Sequence, residues 1–305
     1  MSIQNVFSWS KSRDEQFQEC QRKYYYDKYA SWGGWDKSAA KITRLAYVYK
    51  NLKNRWAWKG ETVHHVIEYV LKSLRANQPL SLEGALHNLN TTMRADFRSS
   101  KDKKYFEDPK RNRGLFEHEY NRPITDAVWK EFHDSAAECV KNFYNSTLYK
   151  ELEKDDKSSW LMIEDLEEFD LDGIKIYVKL DFARKKDGII EIYDWKTGKT
   201  DGDTSLQMGT YSLYAMQKWK VPLEAVKTYI FNVAGSVAIA ENRLISQKEL
   251  EETKAFIIKS AQGMKELLLD APHNIPKPAH AFQYTLNTRL CDFCNFYKIC
   301  EKYNP

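Results

Sequence analysis

Asp181, Asp194 and Lys196 are the residues whose types and spacing point most directly to chemistry. From residue 174 to 199 the sequence reads IKIYVKLDFARKKDGIIEIYDWKTGK. Apolar and polar positions alternate, break at Asp187-Gly188 and alternate again, which predicts a β-hairpin. Ile174, Ile176, Val178 and Leu180 share one face of the first arm. Ile190, Ile192, Asp194 and Lys196 share one face of the second. A two-residue turn pairs Lys186 with Ile189 and sets Asp181 opposite Asp194. Like charges placed so repel unless a cation lies between them. Mg²⁺ and Mn²⁺ suit that position, because such ions take carboxylates, water and a substrate phosphate. Lys196 follows on the face of Asp194, about 6–7 Å along the strand. Two carboxylates and an amine on one spot suit phosphodiester hydrolysis. The metal activates water and neutralises phosphate, while the amine orients the nucleophile or stabilises developing charge. The plain alternative is an edge strand with solvated charge. Gly198-Lys199-Thr200 looks like the end of a phosphate-binding loop, but the glycine required five residues before Gly198 is Tyr193. Nucleotide binding there is excluded.

The neighbouring elements must hold those groups in place. Strand patterns begin at Trp160 with LMIEDLEEFDL and resume after the hairpin as KTYIFNV, a turn at Gly235-Ser236, and VAIAENRLI. Between them, 204–220 reads as a helix capped by Asp203 or Thr204 and ended before Pro222. Gln207 and Tyr211 lie one turn apart on it and can reach the site that follows the second arm. A helix over 60–75 buries Val63, Ile67, Val70 and Leu74. Its adjacent histidines His64 and His65 point about 100° apart, so they cannot serve one site together. Glu61 and Glu68 share the face of His64. Taken alone, His64 reads as a structural histidine.

Residues 10–30 read as one helix with Phe17, Cys20 and Tyr24 on a face and with Arg22 and Lys23 turned away. The stretch 41–58 interleaves Tyr47, Tyr49, Trp56 and Trp58 with basic residues such as Arg55. That pattern suits either single-stranded nucleic acid or an amphipathic helix packing its rings inward. Seven basic and three acidic side chains crowd 98–113, which is either a phosphate track or a solvated face. Residues 123–150 read as a helix with an apolar stripe of Phe132, Ala136, Cys139 and Phe143. Residues 246–270 form another, before a linker containing Pro272, Pro276 and Pro278.

Five cysteines are present, and Cys291, Cys294 and Cys300 have C-x2-C-x5-C spacing. That crowding is a metal-site pattern, not a disulfide framework. Three thiolates leave zinc or an iron–sulfur cluster one ligand short, and the remaining thiols are Cys20 and Cys139. The chain of 305 residues carries a net charge of +4, which permits nucleic-acid contact through local patches but does not demand it. No apolar run approaches the roughly 18 residues of a membrane span, and no secretory signal opens the sequence. The expected setting is cytoplasmic, or nuclear in a eukaryote, with no membrane partner.

Taken in order, Gly60-x-x-Val63-His64, Asp181, Asp194-x-Lys196, Gln207-x3-Tyr211 and the C-terminal cysteines resemble the PD-(D/E)XK nuclease superfamily. Within it they resemble the RecB-like branch with an iron–sulfur cluster, which includes CRISPR-associated exonucleases and the AddB nuclease domain. The resemblance spans residues 7 to 303. It implies an α/β fold, a restriction-endonuclease-like mixed central sheet flanked by helices. A helical N-terminal part (1–155) would carry Cys20 and His64, a catalytic sheet core would follow (156–245), and a C-terminal iron–sulfur cap would close the chain (246–305). All would belong to one nuclease domain. The resemblance assigns His64, Asp181, Asp194 and the Trp195 carbonyl to an Mg²⁺ or Mn²⁺ site. Lys196 would position the attacking water, and Gln207 and Tyr211 would touch substrate or support the site. Cys20, Cys291, Cys294 and Cys300 would hold a 4Fe-4S cluster, with Cys139 left over. Val178 stands where the family often has glycine. The implied activity is a DNA nuclease acting on single strands or duplex ends in repair, recombination or CRISPR defence. Any helicase, CRISPR or repair subunit would be a separate partner. A cluster-stabilised DNA-end binder with little turnover is one rival, and a zinc-finger-like protein another.

Overall fold

The strand that carries Asp194 and Lys196 lies at the centre of the sheet, where its inward positions Ile190, Ile192, Tyr193 and Trp195 are buried from both faces. The computed structural model describes residues 4–198, 202–235 and 238–304. Lys199 and Thr200 of the rejected phosphate-loop ending, and Ser236 of the expected turn, lie outside them.

In chain order the helices before the sheet are α1 (Lys11–Glu19), α2 (Gln21–Tyr25), α3 (Lys41–Lys50), α4 (Arg55–Arg75), α5 (Leu82–Lys101), α6 (Phe116–Glu119), α7 (Asp126–Asn145) and α8 (Thr147–Lys154). The strands β1 (Trp160–Ile163), β2 (Leu166–Leu171), β3 (Ile174–Lys179), β4 (Phe182–Lys186) and β5 (Ile189–Lys196) follow. Then come α9 (Ser205–Trp219), β6 (Val226–Asn232), β7 (Ile239–Arg243), α10 (Gln247–Lys265) and the short pair β8 (Leu268–Asp270) and β9 (Ile275–Pro276). The central sheet has the order β1-β4-β5-β6-β7. Its β5–β6 pair is parallel and its other pairs are antiparallel, so the sheet is mixed. A parallel pair needs a crossover, and α9 supplies it.

Both faces of the sheet are covered. On one, Val63 and Ile67 of α4 and Ala136, Cys139 and Phe143 of α7 pack against Tyr193, Trp195 and Phe231. On the other, Met208 and Tyr214 of α9 and Ile257 and Ala261 of α10 pack against Ile190, Ile192 and Ile230. α9 and α10 meet at Gly209, where an added Cβ would lie 2.3 Å from Thr253 Oγ1. Among the described residues no helix is long and apolar enough to cross a membrane.

The expected hairpin turn and register are present: Lys186 pairs with Ile189 and Phe182 with Tyr193. Asp187 and Gly188 both have positive φ, 50° and 82°, as a tight two-residue turn requires. The first arm, however, is not one strand. It breaks at Leu180–Asp181, and β3 belongs to a separate ribbon with β2. The cause is partner availability, since β3 is already paired with β2 while β4 must fit between β1 and β5.

The single helix expected over 10–30 is likewise two. Cys20 is extended (φ −167°, ψ 111°) between α1 and α2, because the next segment bonds to the far end of the chain. Arg22 N–H donates to the Gln283 carbonyl at 3.1 Å, and Gln283 N–H donates to Gln21 Oε1 at 3.0 Å. Arg22 is therefore buried, not turned away. The helix expected over 123–150 breaks at Ser146, which ends α7 and caps α8. The one expected over 246–270 stops at Lys265, before β8. In the aromatic stretch Tyr47, Tyr49 and Trp58 pack inward, whereas Trp56 stays 47% exposed. The basic residues of 98–113 are largely solvated around buried Tyr105 and Pro109.

Candidate active site

Two groups of side chains meet where β5 ends. The first is His64, Asp181 and Glu164. α4 begins at an Asn54 cap, whose side chain accepts from Ala57 N–H, and its buried stripe of Val63 and Ile67 turns His64 toward the sheet. His65, next along, is exposed. His64 Nδ1 lies 2.9 Å from Glu164 Oε1 and 3.4 Å from Asp181 Oδ1. One ligand atom from each of these residues lies within 4.8 Å of the others. Glu61 and Glu68 take no part: Glu61 pairs with Lys53 and Arg113, and Glu68 with Lys72.

Glu164 was not anticipated from the sequence. It occupies the turn between β1 and β2 with φ 56°, and its N–H donates to the Asp181 carbonyl at 2.9 Å. Its side chain is buried, with Lys179 Nζ 2.7 Å from Oε2 but off the angle a hydrogen bond needs. An acidic pair, Glu164-Asp165, interrupting an apolar run was the only signal, and it marks a turn before it marks a ligand.

The second group is Asp194, Lys196, Gln207 and Tyr211. Alternation along β5 aims Asp194 and Lys196 at the α9 side, and α9 returns across that face. Gln207 Nε2 donates to Asp194 Oδ1 at 2.7 Å and to the Tyr211 hydroxyl at 2.8 Å. Lys196 Nζ donates to Gln207 Oε1 at 3.3 Å. The Tyr211 hydroxyl lies 3.1 Å from Asp194 Oδ1 and 3.0 Å from the Lys179 carbonyl. Lys196 Nζ also stands 2.6 Å from Asp194 Oδ2, yet that buried oxygen accepts no well-angled hydrogen bond. Trp195 links the groups: its backbone N–H donates to Asp181 Oδ2 at 2.6 Å.

Burial governs the electrostatics. It pushes the Asp181 carboxyl up to about 6, with the charge of Asp194 adding and His64 opposing. Burial alone would lower His64, but Asp181 and Glu164 outweigh it and hold the imidazole well above its ordinary range. Glu164 is held below the usual carboxylate range, because His64 and Lys179 overcome its own burial. Burial beside Asp194 and Asp181 raises the Tyr211 phenol, which keeps it protonated.

A family model for the PD-(D/E)XK nuclease superfamily matches residues 8–301. The chain belongs to that superfamily. Its mixed α/β sheet flanked by helices is consistent with a PD-(D/E)XK core. Two solved structures are similar to this member at a lower level. One is a Eubacterium rectale protein named "Putative exonuclease", 14% identical, with a TM-score of 0.38 over 89% of this chain and 90% of that one. The other is named SSO0001, 14% identical, with a TM-score of 0.29 over 62% of this chain and 92% of that one. No curated protein matches.

Away from the sheet, Cys20, Cys291, Cys294 and Cys300 line one cavity with Tyr26 and Phe296. Cys139 is buried in the core between α7 and the sheet. Burial pushes the Cys294 thiol up to about 11 and raises Cys300 as well. Among the described residues, no three cysteine sulfurs come within 4.8 Å of one another.

Proposed function

We propose that the chain is a divalent-metal-dependent DNA nuclease, working as one unit on single strands or duplex ends. The observation that carries this reading is the convergence of His64, Asp181 and Glu164 beside an Asp194–Lys196 pair. The donor set fits Mg²⁺ or Mn²⁺: hard carboxylate oxygens and one imidazole, with buried Glu164 Oε2 and Asp194 Oδ2 lacking well-angled donors. His64, Asp181, Asp194 and the Trp195 carbonyl would hold the ion, and Glu164 lies within reach to join them. A metal bound there supplies Lewis acidity toward the phosphate and lowers the pKa of water.

The remaining work falls to the side chains. Lys196 orients the attacking water and offsets charge growing on the phosphate. Gln207 bonds Lys196 through its oxygen and Asp194 through its nitrogen, so the amine and the carboxylate are held as one unit. Tyr211, protonated, anchors Asp194 from below and fixes the end of β3 through Lys179. Repair, recombination or CRISPR processing, with a separate motor or defence subunit, is the setting this activity suits.

We further read the four-cysteine cavity as a 4Fe-4S site. Cys20, Cys291, Cys294 and Cys300 lining one cavity supply the four thiols that either a zinc ion or a 4Fe-4S cluster requires, and iron content decides between them. Thiols raised by burial need a strongly positive group to become ligating thiolates, which a cluster provides.

End-labelled single and double strands, with free and blocked ends, test the reading in Mg²⁺, Mn²⁺ and chelator. Cleavage should require the metal and vanish in Asp194→Ala and Lys196→Ala, with the Lys196 variant still binding metal. Wild-type rates in Asp194→Ala would remove the assignment. Purification without oxygen should give a brown protein containing iron; a colourless zinc protein would refute the cluster.

A further inference from the structure

An open cleft leads away from the candidate site, with Lys196, Gln207 and Tyr211 at one end. Its far wall is the first turn of α1, including Lys11 and Arg13, and Leu166 and Tyr177 line its floor. Neither the far wall nor the floor has a part in the chemistry above. Ile174, Ile176 and Val178 of β3 are buried beneath the floor, so Lys175, Tyr177 and Lys179 face outward. Leu166 pairs with Lys179 across the ribbon and is 66% exposed, which gives the floor an apolar strip beside the phenol.

Cations flank that ring. The Arg13 guanidinium lies 5.4 Å from the Tyr177 ring centroid, and Lys175 Nζ lies 6.0 Å from it. The nearby carboxylates Glu15 and Glu168 are each paired, with Lys11 and Lys175 respectively. Arg13 donates to the Ser8 carbonyl and hydroxyl, not to a carboxylate, and so keeps its charge for a ligand. The floor is also rigid. Trp9 N–H donates to the Lys175 carbonyl and Tyr177 N–H to the Trp9 carbonyl, both at 2.8 Å, which fixes the ring relative to the start of α1.

We infer that this cleft is a strand-binding subsite in which Tyr177 stacks a base of the nucleic acid and Arg13 contacts a phosphate. The inference rests on the nuclease reading of the Lys196 end. A ring and a leucine between cations match an unpaired strand, which offers base faces and phosphates together. A duplex hides its base faces and gains nothing from such a floor.

Fluorescence anisotropy of labelled oligothymidine with the full chain, in chelator to prevent cleavage, tests this. Tyr177→Ala should weaken binding roughly ten- to a hundredfold, the range for loss of one stacking ring. Tyr177→Phe keeps the ring and should bind like wild type. Arg13→Gln should reduce the log–log salt slope by about 0.7, as one single-strand phosphate contact predicts. With metal present, the KM of Tyr177→Ala for the single strand should rise by the same factor. Unchanged affinity in a natively melting Tyr177→Ala protein, or equal losses in the Ala and Phe variants, would overturn the subsite while leaving the nuclease reading intact. Tyr177-dependent binding by a wild type that cleaves nothing in Mg²⁺ or Mn²⁺ would support the subsite and overturn the nuclease reading instead.

Discussion

Asp181 is buried beside a second carboxylate, and that position costs stability whenever it is charged. Its folded value of about 6 reflects burial first, then Asp194, against the pull of His64. The unfolded carboxyl titrates near 3.9. Between those values the native state holds a proton that the unfolded chain has released, so without metal this residue destabilises the fold as pH rises through that window. Asp181→Asn removes the effect. In chelator, the variant should melt above wild type at pH 8, and the gap should close toward pH 4. Added Mn²⁺ should reverse the order at pH 8, because only the wild type gains binding energy from the ion. A gap equal at both pH values would refute this electrostatic account. His64 gives a second test: His64→Ala should weaken Mn²⁺ binding by calorimetry roughly tenfold or more. His65→Ala, on the exposed side, should leave it unchanged; equal losses would mean that the wrong histidine faces the site. The approach of Asp181 to Asp194 was legible in the sequence because a two-residue turn fixes register, and every side chain follows from it. Glu164 was not, because it reaches Asp181 only through the pairing of β1 with β4, which no local pattern encodes.

Elements break where tertiary partners outweigh local preference. Alternation runs unbroken through Leu180 and Asp181, so nothing local marks the switch of sheets there. The extended Cys20 is similarly hidden in a good helical pattern, because the competing hydrogen bonds come from Gln283. The placement of α9 was easier to read, since Gln207 and Tyr211 need only one-turn spacing and a crossover after β5. Its seating against α10 depends on Gly209. Gly209→Ala would gain about 1 kcal/mol of helix propensity. The new Cβ, however, would lie 2.3 Å from Thr253 Oγ1 and 3.0 Å from Thr253 Cβ, both inside a packed interface. Overpacking of that kind costs about 1–3 kcal/mol, so the net effect should be a lower melting temperature. Gln207 and Tyr211 flank this position, so cleavage should fall with it. Adding Thr253→Ala should restore part of both losses. A Gly209→Ala protein as stable as wild type would show that the two helices separate freely.

Across the whole molecule, the last residues are held both to the first helices and to the end of α6. Arg22 donates to the Phe282 carbonyl and pairs with Glu301, and Tyr26 donates to the Ile299 carbonyl at 2.9 Å. Lys298 reaches Glu119, and Tyr120 donates to the Asn295 carbonyl at 2.6 Å. The cysteine cavity sits within this seam, so a cluster there would add a covalent clasp to a non-covalent one. Cys20 and Cys291 are 271 residues apart (291 − 20). Closing so long a loop restricts the unfolded chain by about 5.6 kcal/mol in the chain-entropy model for cross-links. Cys20→Ser should therefore lose iron and colour, melt at a lower temperature and expose both ends to protease. It should still fold, because the Arg22 and Tyr26 contacts remain. Cleavage should fall only indirectly, since Asp181 and Asp194 belong to the sheet and not to the seam. Melting alone cannot identify the fourth thiol, because Cys139→Ser buries a hydroxyl between α7 and the sheet and also costs about 1–3 kcal/mol. Iron content separates the two. Cys139→Ser should keep its iron and colour while melting lower, and Cys20→Ser should lose both. The opposite pattern, with colour lost in Cys139→Ser and kept in Cys20→Ser, would mean that no cluster joins the ends of the chain.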